Sequence, residues 1–206
     1  MEAPKKPTLR ASRALETRKR LLESALALFR ERGFDAVSVD EITKAANTSK
    51  GSFYTHFTTK SDIIKEEFRL IDDFYLALLP ELEKIEGAAD RLRAFSRGQL
   101  DYIHSVMGYQ NLGIMYMNQL SDFNEEKVLT RRERPLFRIT RDLVAYGQGR
   151  GEFTTRRPPE ELAIWVNRCM RGFFLDWAIS RAGIDARTEG QAFFEDFVLP
   201  ALAAGR

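Results

Sequence analysis

Ser38-Val39-Asp40-Glu41-Ile42-Thr43-Lys44-Ala45-Ala46-Asn47-Thr48-Ser49-Lys50-Gly51-Ser52-Phe53-Tyr54-Thr55-His56-Phe57 reads as two short helices joined by a tight turn. The Ser38 hydroxyl can accept a hydrogen bond from an orphan backbone N–H at the start of the first helix, and Glu41, three residues on, completes a capping box. Val39, Ile42 and Ala46 supply that helix's apolar face. Asn47 suits the turn, because asparagine enters left-handed backbone more readily than most residues. Ser49 then caps a second helix, held to the interior by Phe53 and Phe57 one turn apart. The other side of that helix is polar. Thr48, Ser49, Lys50, Ser52, Tyr54 and Thr55 can all present hydrogen-bond donors there, and Gly51 allows backbone to approach another surface closely.

Upstream, Leu22, Ala25, Leu26 and Phe29 recur at helical spacing as far as Gly33, a residue that tolerates the left-handed end of a helix. A helix followed by two short helices and a turn is the helix-turn-helix arrangement, in which the last helix can lie in the DNA major groove. Downstream, Thr59 with Asp62 predicts the cap of a long helix whose stripe is Ile64, Phe68, Ile71, Tyr75 and Leu78, bending or ending near Pro80. Beyond Gly87 the spacing predicts helices over 89–107, 110–121, 125–148, 158–182 and 188–203, about nine in the whole chain. The start near 158 is marked by Pro158 and Pro159 followed by Glu160 and Glu161, which favour a helix N-terminus. With no alternating β-branched run to argue for a sheet, the expected fold class is all-α.

The composition, 44% apolar and 30% charged over 206 residues, is that of a globular protein. No stretch approaches the roughly 20 apolar residues of a membrane span. Lys5, Lys6, Arg10 and Arg13 lie in a segment without the apolar middle of a secretory signal, so residues 1–13 read as a basic, disordered tail and the expected location is the cytoplasm. The single Cys169 excludes an intrachain disulfide and fits a reducing compartment. Charge is unevenly distributed. Residues 1–60 hold 12 Lys and Arg against 7 Asp and Glu, whereas residues 61–206 hold 20 against 23, which places the positive charge where a nucleic-acid surface would need it.

Enzyme signatures are missing from the sequence. There is no metal-spaced His/Cys cluster, nucleophile elbow or phosphate-binding loop, so no catalytic residue, metal or cofactor is expected. Gly147, Gly149 and Gly151 resemble part of a dinucleotide fingerprint, but Glu152 follows them and no strand precedes them; they read as a flexible helix end before Phe153. Arg131, Arg132 and Arg134 read as a solvated helix face. His56 has no second histidine nearby and reads as a structural or phosphate-side residue.

The run from Ser38 to Ile42 and from Ser49 to Phe57, with Lys60 following, resembles the DNA-binding signature of the TetR family, over roughly residues 18–64. Asn47 stands where that family usually has glycine, and Thr48 where it usually has an apolar residue. The resemblance implies a DNA-binding domain at 14–60 and a helical ligand-binding and dimerisation domain at 61–206. It implies that Thr48, Lys50, Gly51 and Ser52 lie nearest to base edges and adjoining backbone, with Ser49 and Thr55 also among the DNA-binding residues. Tyr54 and Lys60 would hold phosphates, with Ser38 helping from the start of the preceding helix and His56 beside them. It further implies a homodimer on palindromic double-stranded operator DNA, acting as a repressor and released by a small effector. Aromatic and sulfur side chains that could wall an effector pocket are Phe74, Tyr75, Tyr102, Met107, Met115, Tyr116, Phe137, Trp165 and Cys169. The family's dimer helices would correspond to those carrying Phe173, Phe174, Trp177, Phe193, Phe194 and Phe197.

Overall fold

The computed structural model describes residues 9–121 and 127–204, and the chain divides into two compact units, Met1–Glu67 and Phe68–Arg206. Within the described residues it is helical, and its β-structure is an isolated antiparallel bridge between Phe153 and Ala203. No described helix is long and apolar enough to cross a membrane.

The first unit contains α1 (Leu9–Arg32), α2 (Val39–Ala45), α3 (Lys50–His56) and the start of α4 (Ser61–Leu82). Of the basic tail expected over 1–13, residues 1–8 lie outside the described residues; from Leu9 the chain is already helical, because α1 carries its regular backbone bonding that far. Leu21, Leu22, Ala25, Leu26 and Phe29 of α1 are buried together with Ile42, Ala46, Phe53, Phe57, Ile63 and Ile64. Gly33 ends α1 in left-handed backbone, φ 83°, and its N–H donates to the Phe29 carbonyl at 2.9 Å. The expected break at 60/61 falls instead inside α4. Ile63 and Ile64 belong to the first core, and the Arg18 guanidinium grips the Glu66 carboxylate with both nitrogens while lying 5.0 Å over the Phe57 ring.

The second unit holds the rest of α4, which ends two residues past Pro80, then α5 (Ala88–Tyr102), continued by a π-helical turn (Ile103–Met107), and α6 (Gly108–Ser121). After a short 3-10 turn (Val128–Thr130) come α7 (Pro135–Gly149) and α8 (Pro159–Ile179). The last rod is α9 (Ala186–Phe193), a second π-helical turn (Phe194–Val198) and α10 (Leu199–Leu202). α8 packs on α6 and α7, and α5 packs on α7 and α9. The helix expected over 125–148 begins only at Pro135. Proline fixes its own φ and pushes the preceding residue to extended backbone, and Arg134 accordingly stands at the N-cap with φ −64° and ψ 142°. The start of α5 has no side-chain cap of its own; Glu152 reaches it from 64 residues away and accepts the Ala88 N–H at 2.7 Å and the Ala89 N–H at 3.2 Å.

Candidate functional site

The turn between α2 and α3 depends on backbone that few side chains tolerate. Asn47 is left-handed at φ 48°, its N–H donates to the Lys44 carbonyl at 3.2 Å, and the Thr48 N–H donates to the Thr43 carbonyl at 2.9 Å. Both short helices are capped by serine. The Ser38 hydroxyl donates to Glu41 Oε2 at 2.7 Å and accepts the Glu41 N–H, while the Ser38 N–H donates to the same carboxylate at 2.8 Å. These Ser38 bonds, with Arg32 assisting, hold the Glu41 carboxyl down to about 2. Ser49 accepts the Ser52 N–H at 3.1 Å. Phe53 is 0% exposed and meets Phe57 at 5.7 Å between ring centroids, so α3 is pinned by one face only.

The opposite face of α3 is open. Tyr54 is 53% exposed, Lys50 and Thr55 are exposed, and Thr48 and Ser52 are half-buried. A Cβ on Gly51 would meet nothing closer than Ser49 Oγ at 3.9 Å, so the protein's own packing does not demand a glycine here. Lys50 Nζ lies 2.9 Å from Asp40 Oδ1; both side chains are more than half exposed, and such a pair is worth about 0.2–1 kcal/mol, little enough to open for a stronger anion. The Thr55 hydroxyl donates back to the Gly51 carbonyl at 3.0 Å. His56 is half-buried, and burial, aided by the Arg18 charge, holds its pKa below the ordinary value, which favours the neutral ring near pH 7.

Two expected phosphate ligands already have partners within the head. Lys60 Nζ donates to the Phe34 carbonyl at 2.6 Å and the Val37 carbonyl at 2.9 Å, and it sits 4.4 Å over the Phe34 ring. An ammonium has three donors, so at most one remains for a phosphate. Lys60 is first an anchor for the loop before α2. The Ser38 proton is likewise given to Glu41, whose carboxylate would repel a phosphate, which makes Ser38 a helix cap.

The second unit contains two adjoining cavities. One, of about 50 Å³, is lined by Phe68, Ile71, Ile103, Leu112 and Met170 together with four of the expected residues, Tyr75, Met107, Met115 and Tyr116. The other, a cleft of about 220 Å³, is lined by Phe137 and Ile164 and by Arg131, Arg132, Arg134, Arg168 and Arg171. Phe74 and Tyr102 line neither; their rings meet each other, tilted by 34°, at 4.5 Å between centroids. Trp165 is exposed under the Arg157 guanidinium at 5.1 Å, and Cys169 is half-buried away from both cavities. The arginine run is solvated only in part, Arg132 being exposed, and it does not lie on a helix. It precedes α7, and Arg134, 7% exposed, clamps Asp72 at 2.8 and 2.9 Å across 62 residues, a pairing no local spacing signals.

Three of the six expected dimer residues are corrected. Phe174, Trp177 and Phe194 are 6%, 2% and 1% exposed in the subunit's own core, because helices that are apolar on several faces do not announce which face turns inward. The Trp177 indole N–H donates to the Ile184 carbonyl at 3.2 Å. Phe173, Phe193 and Phe197 instead form a ladder of stacked rings at 5.8 and 5.3 Å that leads out to Phe197, 61% exposed. Leu175 and Ile179, which the sequence reading passed over, are exposed one turn apart on α8. Among the described residues no cluster of His, Cys, Asp or Glu could hold a metal ion.

Comparison with known proteins agrees with this geometry. Residues 21–66 match the family model for bacterial regulatory proteins of the tetR family. Transcriptional regulator AcuR of Cereibacter sphaeroides is 30% identical over 179 residues, 82% of this chain and 77% of that protein. The probable acrEF/envCD operon repressor of Escherichia coli K12 is 24% identical over 194 residues, 89% of this chain and 86% of that one. In fold, the chain resembles the fatty acid degradation regulator FadR from Bacillus halodurans, with a TM-score of 0.77 at 16% identity over 98% of this chain and 100% of that one. The helix-turn-helix, the family model that covers it and a transcriptional regulator 30% identical over most of the chain have one reading: this chain belongs to the TetR family of bacterial transcriptional regulators.

Proposed function

We propose that the protein is a cytoplasmic, ligand-responsive repressor that binds a palindromic operator as a homodimer and is released by a small, partly hydrophobic effector. The observation that carries the DNA-binding part is the open face of α3, polar and anchored from behind by Phe53 and Phe57, with a glycine its own packing does not need. Thr48, Ser49, Lys50, Gly51 and Ser52 face base edges and adjoining backbone, and Lys50 leaves Asp40 for the duplex. Tyr54 holds a phosphate through its hydroxyl, with Thr55 and His56 beside it, while Lys60 contributes its remaining donor and orders the loop. Repression is supported by the Escherichia coli relative, a probable operon repressor.

Two-fold symmetry brings two reading helices to successive major grooves about 34 Å apart. The dimer surface is built from Phe173, Phe193 and Phe197 with Leu175 and Ile179. The effector occupies the cavity walled by Tyr75, Met107, Met115 and Tyr116. α4 carries Ile63 and Ile64 of the head core and Ile71 and Tyr75 of that cavity on one rod, so an effector that prefers one setting of α4 weakens DNA binding by its differential affinity, typically about 1–3 kcal/mol.

A mobility shift with the DNA upstream of the protein's own coding sequence, run across a salt series, tests this reading. Retardation that weakens steeply with salt, from a species that sediments as a dimer, is expected. A monomer that leaves the duplex unretarded at low salt ends it.

A further inference from the structure

The cleft beside the apolar cavity is unusual in charge. Five of its eleven lining residues are arginines, none is acidic, and they come from two separate parts of the chain, the segment before α7 and the middle of α8. One of the five, Arg134, is neutralised by Asp72, which stands outside the lining. Arg171 is half-buried, and its Nη2 donates to the Leu129 carbonyl at 3.3 Å. Burial first, and then the like charges of Arg134 and Arg168, hold its pKa below the ordinary arginine value. Guanidinium groups gathered round a concave, partly desolvated space repel one another, and the arrangement is complementary to an oxyanion, which planar guanidinium groups bind through paired N–H donors. The cleft does not stand alone. Arg134, Arg171, Leu129, Leu136 and Asn167 line both it and the neighbouring cavity, so a charged mouth opens beside an apolar interior. That interior is narrow, but Met107, Met115 and Met170 are among its walls, and unbranched thioether side chains shift to admit a chain.

We propose that the arginine cleft is the head-group site of the effector, and that it takes an oxyanion, carboxylate or phosphate, borne on an apolar chain that enters the adjoining cavity. The inference rests on the effector reading above and narrows its ligand from partly hydrophobic to anionic and amphipathic. Arg168 and Arg171 meet the head, since Arg134 already holds Asp72, and the methionine-walled cavity takes the tail.

Calorimetric titration of the full chain with octanoate, octyl phosphate, octanol and octylamine tests the head group separately from DNA release. At least one of the two anions is expected to bind one per chain, about tenfold or more tighter than octanol, as the loss of charge-assisted hydrogen bonds should cost, with octylamine not binding. Whichever anion binds tighter assigns the head as carboxylate or phosphate. Arg171→Gln and Arg168→Gln should each weaken the anions by about tenfold and leave octanol unchanged. Arg168 is exposed, so its replacement keeps the test valid if the Arg171 variant fails to fold. Octanol binding as tightly as both anions, anion binding indifferent to Arg168→Gln, or no binding by any of the four overturns the proposal. Anions that bind through the arginines yet leave operator retardation unchanged would uphold the site and remove its effector role.

Discussion

The DNA-binding head and the helical body use polar side chains over different distances along the chain. In the head, the bonds that shape α2 and α3 are local: Ser38 to Glu41 and Ser49 to Ser52 span three residues, and Lys50 to Asp40 spans ten. The body has local bonds too, Asp185 capping α9 from three residues away, but those that tie its helices to one another are remote: Asp72 to Arg134 spans 62 residues, Ala88 to Glu152 spans 64 and Arg93 to Glu195 spans 102. A reading head built from short-range contacts can be recognised from a motif. A body built from long-range ones can vary its cavity without leaving a trace at any fixed spacing. The head's exceptions teach the same lesson, because Arg18 to Glu66 and Lys60 to the Phe34 carbonyl span 48 and 26 residues, and both escaped the sequence reading.

The contrast is tested most severely at Arg134. Arg134→Met should lower the stability of the body by about 3–5 kcal/mol, because it leaves Asp72 without its buried partner, while the double replacement Arg134→Met with Asp72→Leu should recover most of that loss. Denaturant unfolding measures both, and a single variant that costs less than about 1 kcal/mol would reduce the pair to the rank of a surface bridge.

Glu67 offers a second test, by pH. Burial, with the Glu66 charge next and Arg30 opposing, raises its carboxyl from 4.5 to about 7. The folded state therefore holds the proton more tightly than the unfolded chain, so the stabilisation is present below about 4.5 and is lost as pH rises towards 7. Over that window the loss amounts to roughly 3 kcal/mol at most. Glu67→Gln should flatten this part of the stability profile, and melting curves at pH 4.5, 6 and 7.5 that fall equally in both proteins would show that the carboxyl is not the cause.

Two lysines in the head sharpen the comparison on a smaller scale. Lys60→Ala removes two charge-assisted bonds to backbone and should cost about 1.5–3 kcal/mol of head stability, with the salt slope of operator binding falling by at most about one. Lys50→Ala breaks only an exposed pair, so its stability should change by less than about 1 kcal/mol while its operator preference shifts. Equal stability losses in the two variants would mean that the Lys60 contacts with the loop carry no weight.

The sequence by itself determined the helix-turn-helix. Ser38 and Ser49 cap helices from adjacent residues, Asn47 turns where few side chains tolerate left-handed backbone, and Phe53 and Phe57 mark the inner face at a spacing set by the helix pitch. Each of these signals acts within one or two turns of chain, where local geometry is almost all that matters. Only the tertiary structure decided that Lys60 bonds to the loop before α2, that Phe174, Trp177 and Phe194 belong to the subunit core, and that Arg131, Arg132 and Arg134 share a cleft with Arg168 and Arg171. Those outcomes depend on which helix faces meet after folding. A charge or an aromatic ring has the same appearance in sequence whether its partner turns out to be water, a distant helix or a ligand.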